Sequence, residues 1–187
     1  MFVACGSDYF DAAGDLLDMP VLAGALRPDV AAKAKALGHR VFSYYNPQAG
    51  VELPEAYRRN YGLKLWVAGY DGGFNYEYQN DRVDRAYDEF LEPHYRNHTM
   101  AYPTPGRPID TRQWEGWREG ADDVRYISTL LKAVDEAAQA GRHVHLVRQT
   151  REWLRTITGD EDLDALRAGM ARRIIQLGES PQARRPN

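Results

Sequence analysis

The chain has 187 residues, of which 43% are hydrophobic and 27% are charged, with a formal net charge of −3. This length predicts one domain or part of a larger one, and the composition supports a packed core and excludes global disorder. The mixed charges do not indicate a nucleic-acid partner, and no apolar run reaches the roughly 18 residues that a membrane-spanning helix needs. The first residues lack a basic region followed by a long apolar stretch, so no signal peptide is expected and the localisation is left open.

The first forty residues predict two strand–helix units. Apolar runs that end in glycine predict strands at residues 2–5 and 20–23. A helix is predicted over residues 8–17, and a second helix is predicted to begin near Pro28 and to end at Gly38. The spacing of three apolar residues places them on one face of the second helix: Val30, Ala34 and Leu37.

The next two units contain tyrosine-rich strands. Residues 40–45 have the strongest strand pattern, because they combine β-branched and aromatic side chains before Asn46-Pro47. One helix is predicted over residues 53–68, Gly72-Gly73 is expected to break the chain, and a fourth strand is predicted at residues 74–78. This alternation of strands and helices predicts parallel strands that are joined by helical crossovers.

The rest of the chain is predicted to be mainly helical. A short strand is predicted at residues 98–102, followed by a proline-rich loop and a long helix that ends at Gly141. Asp110 and Gln113 resemble a capping box at the start of this helix. Its apolar face is predicted to consist of Trp114, Trp117, Ala121, Val124, Ile127, Leu131, Val134 and Ala138.

Three stretches together resemble one protein family. They are VFSYYNPQ, LKLWVAGYDGGFNYEYQN and AYPTPGRPIDTRQWEGWREGADDVRYISTLL. The third is the most specific, because it joins a Tyr-Pro loop to a helix with an R-E-G-x-D-D-x-R-Y pattern. Together they resemble the C-terminal part of the catalytic domain of glycoside hydrolase family 123, a group that includes domain of unknown function 4091. The resemblance extends over roughly residues 1–140.

The resemblance implies an α/β fold that forms the C-terminal half of a (β/α)8 barrel, with about four parallel strands and a helical C-terminal extension. It also implies a glycoside-hydrolase-like protein. Proteins of this type carry their acidic catalytic pair in the earlier half of the barrel, so we expect no counterpart of that pair here. The chain departs from the family at Gln113, where arginine is frequent, and at Glu77, where an apolar aromatic residue is frequent.

Three domains are predicted on this basis. Residues 1–141 are expected to form the partial barrel with its long closing helix. Residues 142–178 are expected to form a helical extension, with helices over residues 143–157 and 161–177. Residues 179–187 are expected to be a flexible tail.

Candidate site residues are placed where the predicted strands end, because the βα loops of barrel enzymes gather there. Aromatic faces suit the apolar face of a sugar ring, and carboxyl and amide groups bind its hydroxyls. Alternate strand residues point toward the helices, so the alternative is that half of these side chains belong to the core. The candidate carbohydrate-binding residues are Asp8, Tyr44, Tyr45, Asn46, Tyr76 and Tyr78.

Glu77 is the candidate catalytic residue. Glycosidases use two carboxylates about 5–10 Å apart, or one carboxylate that orients the acetamido group of the substrate. Asp8 is the only other acid predicted at a strand end. The alternative is that Glu77 binds a sugar hydroxyl or pairs with a neighbouring arginine.

A structural role is predicted for Arg118, Asp122 and Asp123. Adjacent residues on a helix do not face each other, so the two aspartates do not form a catalytic pair. The spacings of Arg118 to Asp122 and of Asp122 to Arg125 are typical of salt bridges on a helix surface or between a helix and a loop.

No metal or organic cofactor is predicted. His143 and His145 are two residues apart, whereas helical metal ligands are spaced by three or four, and Cys5 is expected to be a buried, inert thiol. A carbohydrate is the predicted ligand, with no nucleic-acid or membrane partner. The alternatives are a non-catalytic binding or assembly module, which would pair with a second copy or with a separately encoded first barrel half, and an inactive truncated fragment.

Overall fold

A computed structural model describes residues 2–44, 52–75, 78–79 and 99–179. Within these ranges the chain forms a four-stranded parallel sheet, a two-stranded antiparallel ribbon and seven α-helices, which confirms the α/β class. The chain divides into two compact units, Met1–Ala121 and Asp122–Asn187. The domain limits placed at residues 141 and 178 stay predictions.

The first unit contains the sheet, the ribbon and four short helices. In chain order they are β1 (Phe2–Gly6), α1 (Asp8–Ala13), β2 (Met19–Ala23), α2 (Pro28–Ala36), β3 (Phe42–Ser43), α3 (Pro54–Asn60), α4 (Leu63–Val67), β4 (Gly72–Gly73), β5 (Ala101–Tyr102) and β6 (Ile109–Asp110). The long helix α5 (Arg112–Gln139) begins in this unit, and α6 (Val144–Leu154) and α7 (Leu163–Gly178) lie in the second. The helix predicted over residues 8–17 is shorter than expected, because a 3-10 turn begins at Gly14.

The four strands of the sheet are parallel and lie side by side in chain order, β1-β2-β3-β4. Gly6 pairs with Ala23, and Ser43 pairs with both Leu22 and Gly73. This confirms the predicted parallel strands of the first three units. Because crossovers between parallel strands are right-handed, strands that follow one another in this way place their connecting helices on one face of the sheet.

The fourth strand differs from the prediction, because it is Gly72–Gly73 itself and not residues 74–78. A Cβ on Gly72 would lie 2.9 Å from Cε1 of Phe42, and one on Gly73 would lie 2.7 Å from Cδ1 of Tyr61. The two glycines therefore let β4 approach β3 and the junction between α3 and α4 more closely than other residues could. Glycine in a strand is typical of such close approaches.

The single helix predicted over residues 53–68 is two helices, α3 and α4, separated at Gly62. A Cβ on Gly62 would meet the carbonyl oxygen of Arg58 and would lie 2.8 Å from Cα of Gly120 in α5. The helix is interrupted where the backbone of α5 lies against it, a contact that local sequence patterns do not reveal.

The core of the first unit lies between the sheet and its helices, and Trp114 and Trp117 pack against it, as predicted for the apolar face of α5. Trp117 stacks on Tyr61 with ring centroids 4.0 Å apart. Leu37 was predicted to share a buried face with Val30 and Ala34, but it is exposed, because it follows the last turn of α2. The buried residues of this core are Phe10, Leu22, Val30, Ala31, Ala34, Val41, Tyr57, Tyr61, Leu65, Ala68, Tyr70 and Met100.

Helix α5 is capped by Thr111, whose hydroxyl oxygen accepts a hydrogen bond from the N–H of Trp114 at 3.3 Å. The predicted capping box of Asp110 and Gln113 is wrong. Asp110 lies in β6, and Nε2 of Gln113 instead donates to the carbonyl oxygen of Thr99 at 2.7 Å. The strand predicted at residues 98–102 is confirmed only for Ala101–Tyr102, which is β5, and its antiparallel partner β6 was not predicted.

The second unit contains the remainder of α5 together with α6 and α7, which confirms the two predicted C-terminal helices. Gly141 has a φ of +63° and follows the end of α5, as predicted. Two core positions of α5 were predicted one residue too late. Leu131 and Ala138 were expected to be buried, but Leu130 and Ala137 are the buried residues. A small error in helical periodicity accumulates over the 28 residues of this helix.

Candidate functional site

The four parallel strands end at one edge of the sheet, which we call the C-terminal edge. Asp8 follows β1 in the first turn of α1, Tyr44 follows β3, and Phe74 follows β4. The N–H of Tyr44 donates to the carbonyl oxygen of Leu22 at 3.1 Å, and the N–H of Phe74 donates to that of Ser43 at 2.7 Å. The hydrogen-bond ladder therefore continues past the strands and fixes the backbone of both aromatic residues at this edge.

Alternation along the strands decides which side chains face away from the helices. Leu22 is part of the core and its register partner Cys5 packs against it, so this row points toward the helices. The neighbouring row points to the opposite face, where the rings of Phe42 and Phe74 lie with centroids 5.3 Å apart. We call this the distal face; it carries Ala4, Val21, Phe42, Tyr44 and Phe74.

Three of the six predicted carbohydrate-binding residues lie within the described residues. Asp8 is exposed, Tyr44 is half-buried and Tyr78 is 48% exposed. Tyr45, Asn46 and Tyr76, together with the candidate catalytic residue Glu77, lie outside the described ranges. The structure thus places Asp8 and Tyr44 at the same edge of the sheet.

Tyr78 is held by a different part of the first unit. Its carbonyl oxygen accepts hydrogen bonds from the N–H groups of Met100 at 2.8 Å and Ala101 at 3.3 Å. Its ring lies edge-on to Trp114 of α5, with centroids 5.8 Å apart. The position of Tyr78 therefore depends on the ribbon and on α5. The alternation of side chains along a strand does not predict contacts of this kind.

The order of the strands determines how far β1, which precedes Asp8, lies from β4. Three strand spacings separate β1 from β4, which amounts to about 14 Å. The two carboxyl groups of a glycosidase lie about 5–10 Å apart. The backbones of β1 and β4 are therefore farther apart than the two carboxyl groups of a glycosidase.

Two exposed aromatic residues at this edge were not among the predicted site residues. Phe74 is 44% exposed, and Tyr9 is exposed with Cδ2 of its ring 4.0 Å from the position of a Cβ on Gly6. Phe74 comes directly after β4, and Tyr9 comes three residues after the end of β1. Tyr44 was predicted from the same kind of position, directly after a strand. Phe74 was missed because the fourth strand was expected to begin there and not to end before it.

The residues predicted to have a structural role form ion pairs along α5. In the first unit, Arg118 contacts Glu115 at 2.7 Å and Glu119 at 3.2 Å. In the second, Asp122 pairs with Arg125 at 2.9 Å, as predicted from their spacing.

Asp123 differs from the predicted surface position, because its side chain is 0% exposed. Its Oδ1 accepts a hydrogen bond from Nε of Arg167 in α7 at 2.6 Å. The carboxylate therefore joins two helices of the second unit and does not face solvent or a loop.

The described residues contain no group of three or more His, Cys, Asp or Glu side chains that could hold a metal ion. Nε2 of His143 lies 2.8 Å from the carbonyl oxygen of Glu179. Cys5 is half-buried, and burial raises the pKa of its thiol, which disfavours the thiolate that a nucleophile needs. In the described part of the chain, none of the helices combines the length and apolar character needed to cross a bilayer.

The comparisons with known proteins identify no relative. No protein-family model matches the chain. No curated protein and no solved structure matches it either. The resemblance to glycoside hydrolase family 123 therefore stays a prediction.

Proposed function

We propose that the first unit is the C-terminal half of a glycoside-hydrolase-type (β/α) barrel and that its C-terminal edge binds carbohydrate. The observation that supports this most directly is the sheet order β1-β2-β3-β4 with every strand parallel. Barrels of this class are built from sequential parallel strands with an outer layer of helices, and their sites lie at the C-terminal edge. Doubly wound sheets instead reverse their strand order at a switch point.

The side chains at this edge suit sugar binding. Tyr44 and Phe74 carry aromatic rings on the distal face, and the apolar face of a pyranose can stack on such rings. Asp8 adds an exposed carboxylate that can accept hydrogen bonds from hydroxyls. Hydrolysis would need a second carboxylate at a suitable distance, which the other half of the barrel would supply.

We expect Tyr44→Ala to weaken the binding of an N-acetylglucosamine oligosaccharide about tenfold, equivalent to about 1.4 kcal/mol. The reason is the loss of one aromatic stacking surface at the edge of the sheet. Isothermal titration calorimetry on the full chain measures the change. Tyr126→Ala, which removes a partly exposed tyrosine from α5 in the second unit, is the matched control and should leave the affinity unchanged.

Two results would count against the carbohydrate proposal. One is the absence of saturable binding by the wild-type chain, and the other is an equal loss in both tyrosine variants. An assay with p-nitrophenyl N-acetylhexosaminides addresses catalysis separately. We expect no turnover by this chain alone, and turnover would contradict the assignment of the hydrolytic carboxylates to the other barrel half.

The distal face favours a second function, assembly. In a closed barrel this face is packed core, yet here Phe74 is 44% exposed and Ala4 is also exposed. Among the strands that the structure describes, β1 and β4 each have a paired neighbour on one side only. Exposed apolar patches and open sheet edges are both typical of surfaces that meet another chain.

We expect the wild-type chain to be a dimer and Phe74→Glu to shift it toward the monomer, because a carboxylate would then have to be buried in the interface. Size-exclusion chromatography with light scattering measures the mass of each variant. Leu53→Glu is the control, because Leu53 is an exposed apolar residue at the start of α3 and is not one of the residues named on the distal face. A well-folded wild-type monomer would overturn the assembly proposal.

A further inference from the structure

A groove of about 340 Å³ lies in the second unit, against the face of α6, and we call it the arginine groove. Its walls come from the end of α5, from the connection between α5 and α6, and from α6 itself. The lining residues are Ala138, Arg142, Val144, Val147, Arg148, Arg151, Glu152 and Arg155.

The arginine groove concentrates positive charge in a chain whose net charge is −3. Four of its eight lining residues are arginines, and Glu152 is the one acid among them. Arg151 pairs with Asp135 at 3.2 Å. The other three guanidinium groups form no ion pair within the described residues, so they are available to an anion.

The spacing of the arginines suits a single ligand. Arg148 and Arg151 lie three residues apart on α6, and Arg155 follows four residues later at the C-cap of the helix, so all three lie on the same side of it. Arg142 approaches the groove from the preceding connection. Guanidinium groups bind phosphate and sulfate oxygens in pairs, and several of them around one space favour a tetrahedral oxyanion.

The arginine groove also has an apolar wall. Val147 lines it and is buried, and Val144 is 66% exposed although it is a branched aliphatic side chain. A bare inorganic anion would leave this wall in contact with water. A volume of about 340 Å³ lies near the lower limit for small-molecule sites, so the groove fits a compact organic ligand and not a polymer.

We propose that the arginine groove binds a small organic phosphate or sulfate ester, with its oxyanion against the arginines and its apolar body against Val144 and Val147. The site lies entirely within the second unit. The proposal for the arginine groove is therefore independent of the carbohydrate and assembly proposals for the first unit. It can fail while they hold, and they can fail while it holds.

Phenyl phosphate, inorganic phosphate and phenol are the probes, titrated into the full chain by calorimetry at constant ionic strength. We expect phenyl phosphate to bind at least tenfold more tightly than inorganic phosphate, and phenol not to bind measurably. Arg148→Gln should weaken phenyl phosphate binding about tenfold. Arg172→Gln is the matched control, because Arg172 is an exposed arginine of α7 that does not line the groove.

The variant Val144→Ser separates the two parts of the site. It should reduce the affinity for phenyl phosphate and leave that for inorganic phosphate unchanged, since only the ester carries an apolar body. Equal losses in Arg148→Gln and Arg172→Gln would overturn the proposal in favour of nonspecific attraction to positive charge. The absence of saturable phenyl phosphate binding by the folded wild-type chain would overturn it as well.

The affinities for phenyl phosphate and phenyl sulfate, compared at pH 7.5, show whether the groove prefers a phosphate ester or a sulfate ester. The phosphate ester carries nearly two negative charges at this pH, and the sulfate ester carries one. Tighter binding of either ester supports the proposal and identifies the class of ligand. Failure of both esters to bind more tightly than phenol overturns it.

Discussion

Gly116→Ala is expected to lower the free energy of unfolding by about 3 kcal/mol. A Cβ on Gly116 of α5 would meet the carbonyl oxygen of Pro54 and would lie 2.7 Å from both its carbonyl carbon and its Cα. All three atoms belong to the backbone at the start of α3, so no flexible side chain can move to make room. Chemical denaturation followed by circular dichroism measures the loss.

The sign of this effect is diagnostic. Alanine is favoured over glycine within a helix by about 1 kcal/mol, so Gly116→Ala should stabilise α5 if no neighbouring backbone were close. Gly120→Ala tests the same contact one turn later, where a Cβ would lie 2.7 Å from the carbonyl oxygen of Arg58. Gly178→Ala in α7 is the control, because a Cβ there has nothing within 4 Å. A Gly116→Ala variant as stable as the wild type would contradict the close packing of α5 against α3.

The same glycines show how much of the fold the sequence could predict. The strand–helix alternation was predictable because apolar runs and their glycine stops are local signals, visible within about ten residues. Gly72 and Gly73 were expected to break the chain, since glycine in isolation is a poor former of helices and strands, and Gly62 was expected to lie inside one continuous helix. Their actual role depends on Gly120, Phe42 and Tyr61, which lie 12 to 58 residues away in the sequence and are brought close only by the fold.

The candidate site was predictable to a similar extent. The rule that function gathers at the C-terminal ends of parallel strands identified Asp8 and Tyr44, and the sheet places both at that edge. Phe74 was missed because the start of β4 was placed two residues too late. A shift in strand position changes which residues follow the strand, so an error in one element boundary transfers directly to the site.

Asp123 marks a different limit of prediction from sequence. It was grouped with Asp122 in a predicted network of salt bridges on a helix surface or between a helix and a loop, whereas its partner Arg167 lies 44 residues away on α7. A buried carboxylate and an exposed one have the same local pattern, because burial depends on which element packs against the helix. Only the packing of α7 distinguishes Asp123 from its neighbour Asp122, whose side chain is partly exposed.

Arg167→Leu is expected to lower the free energy of unfolding by about 3 kcal/mol, because it removes the guanidinium that neutralises the buried carboxylate of Asp123. The loss of the Arg167 contact with the ring of Tyr126, at 5.6 Å, adds a smaller part. Chemical denaturation of the full chain measures the change. Arg125→Leu is the matched control, since the Arg125–Asp122 pair is largely exposed and should contribute less than about 1 kcal/mol.

A double variant, Asp123→Leu with Arg167→Leu, separates the electrostatic cause from a packing cause. When both charges are replaced by apolar side chains, no unneutralised carboxylate is buried, and such replacements are often neutral or stabilising. We therefore expect the double variant to recover most of the stability that Arg167→Leu loses. A double variant as unstable as the single one would show that the second unit depends on the shape of the Arg167 side chain between α5 and α7, and not on its charge.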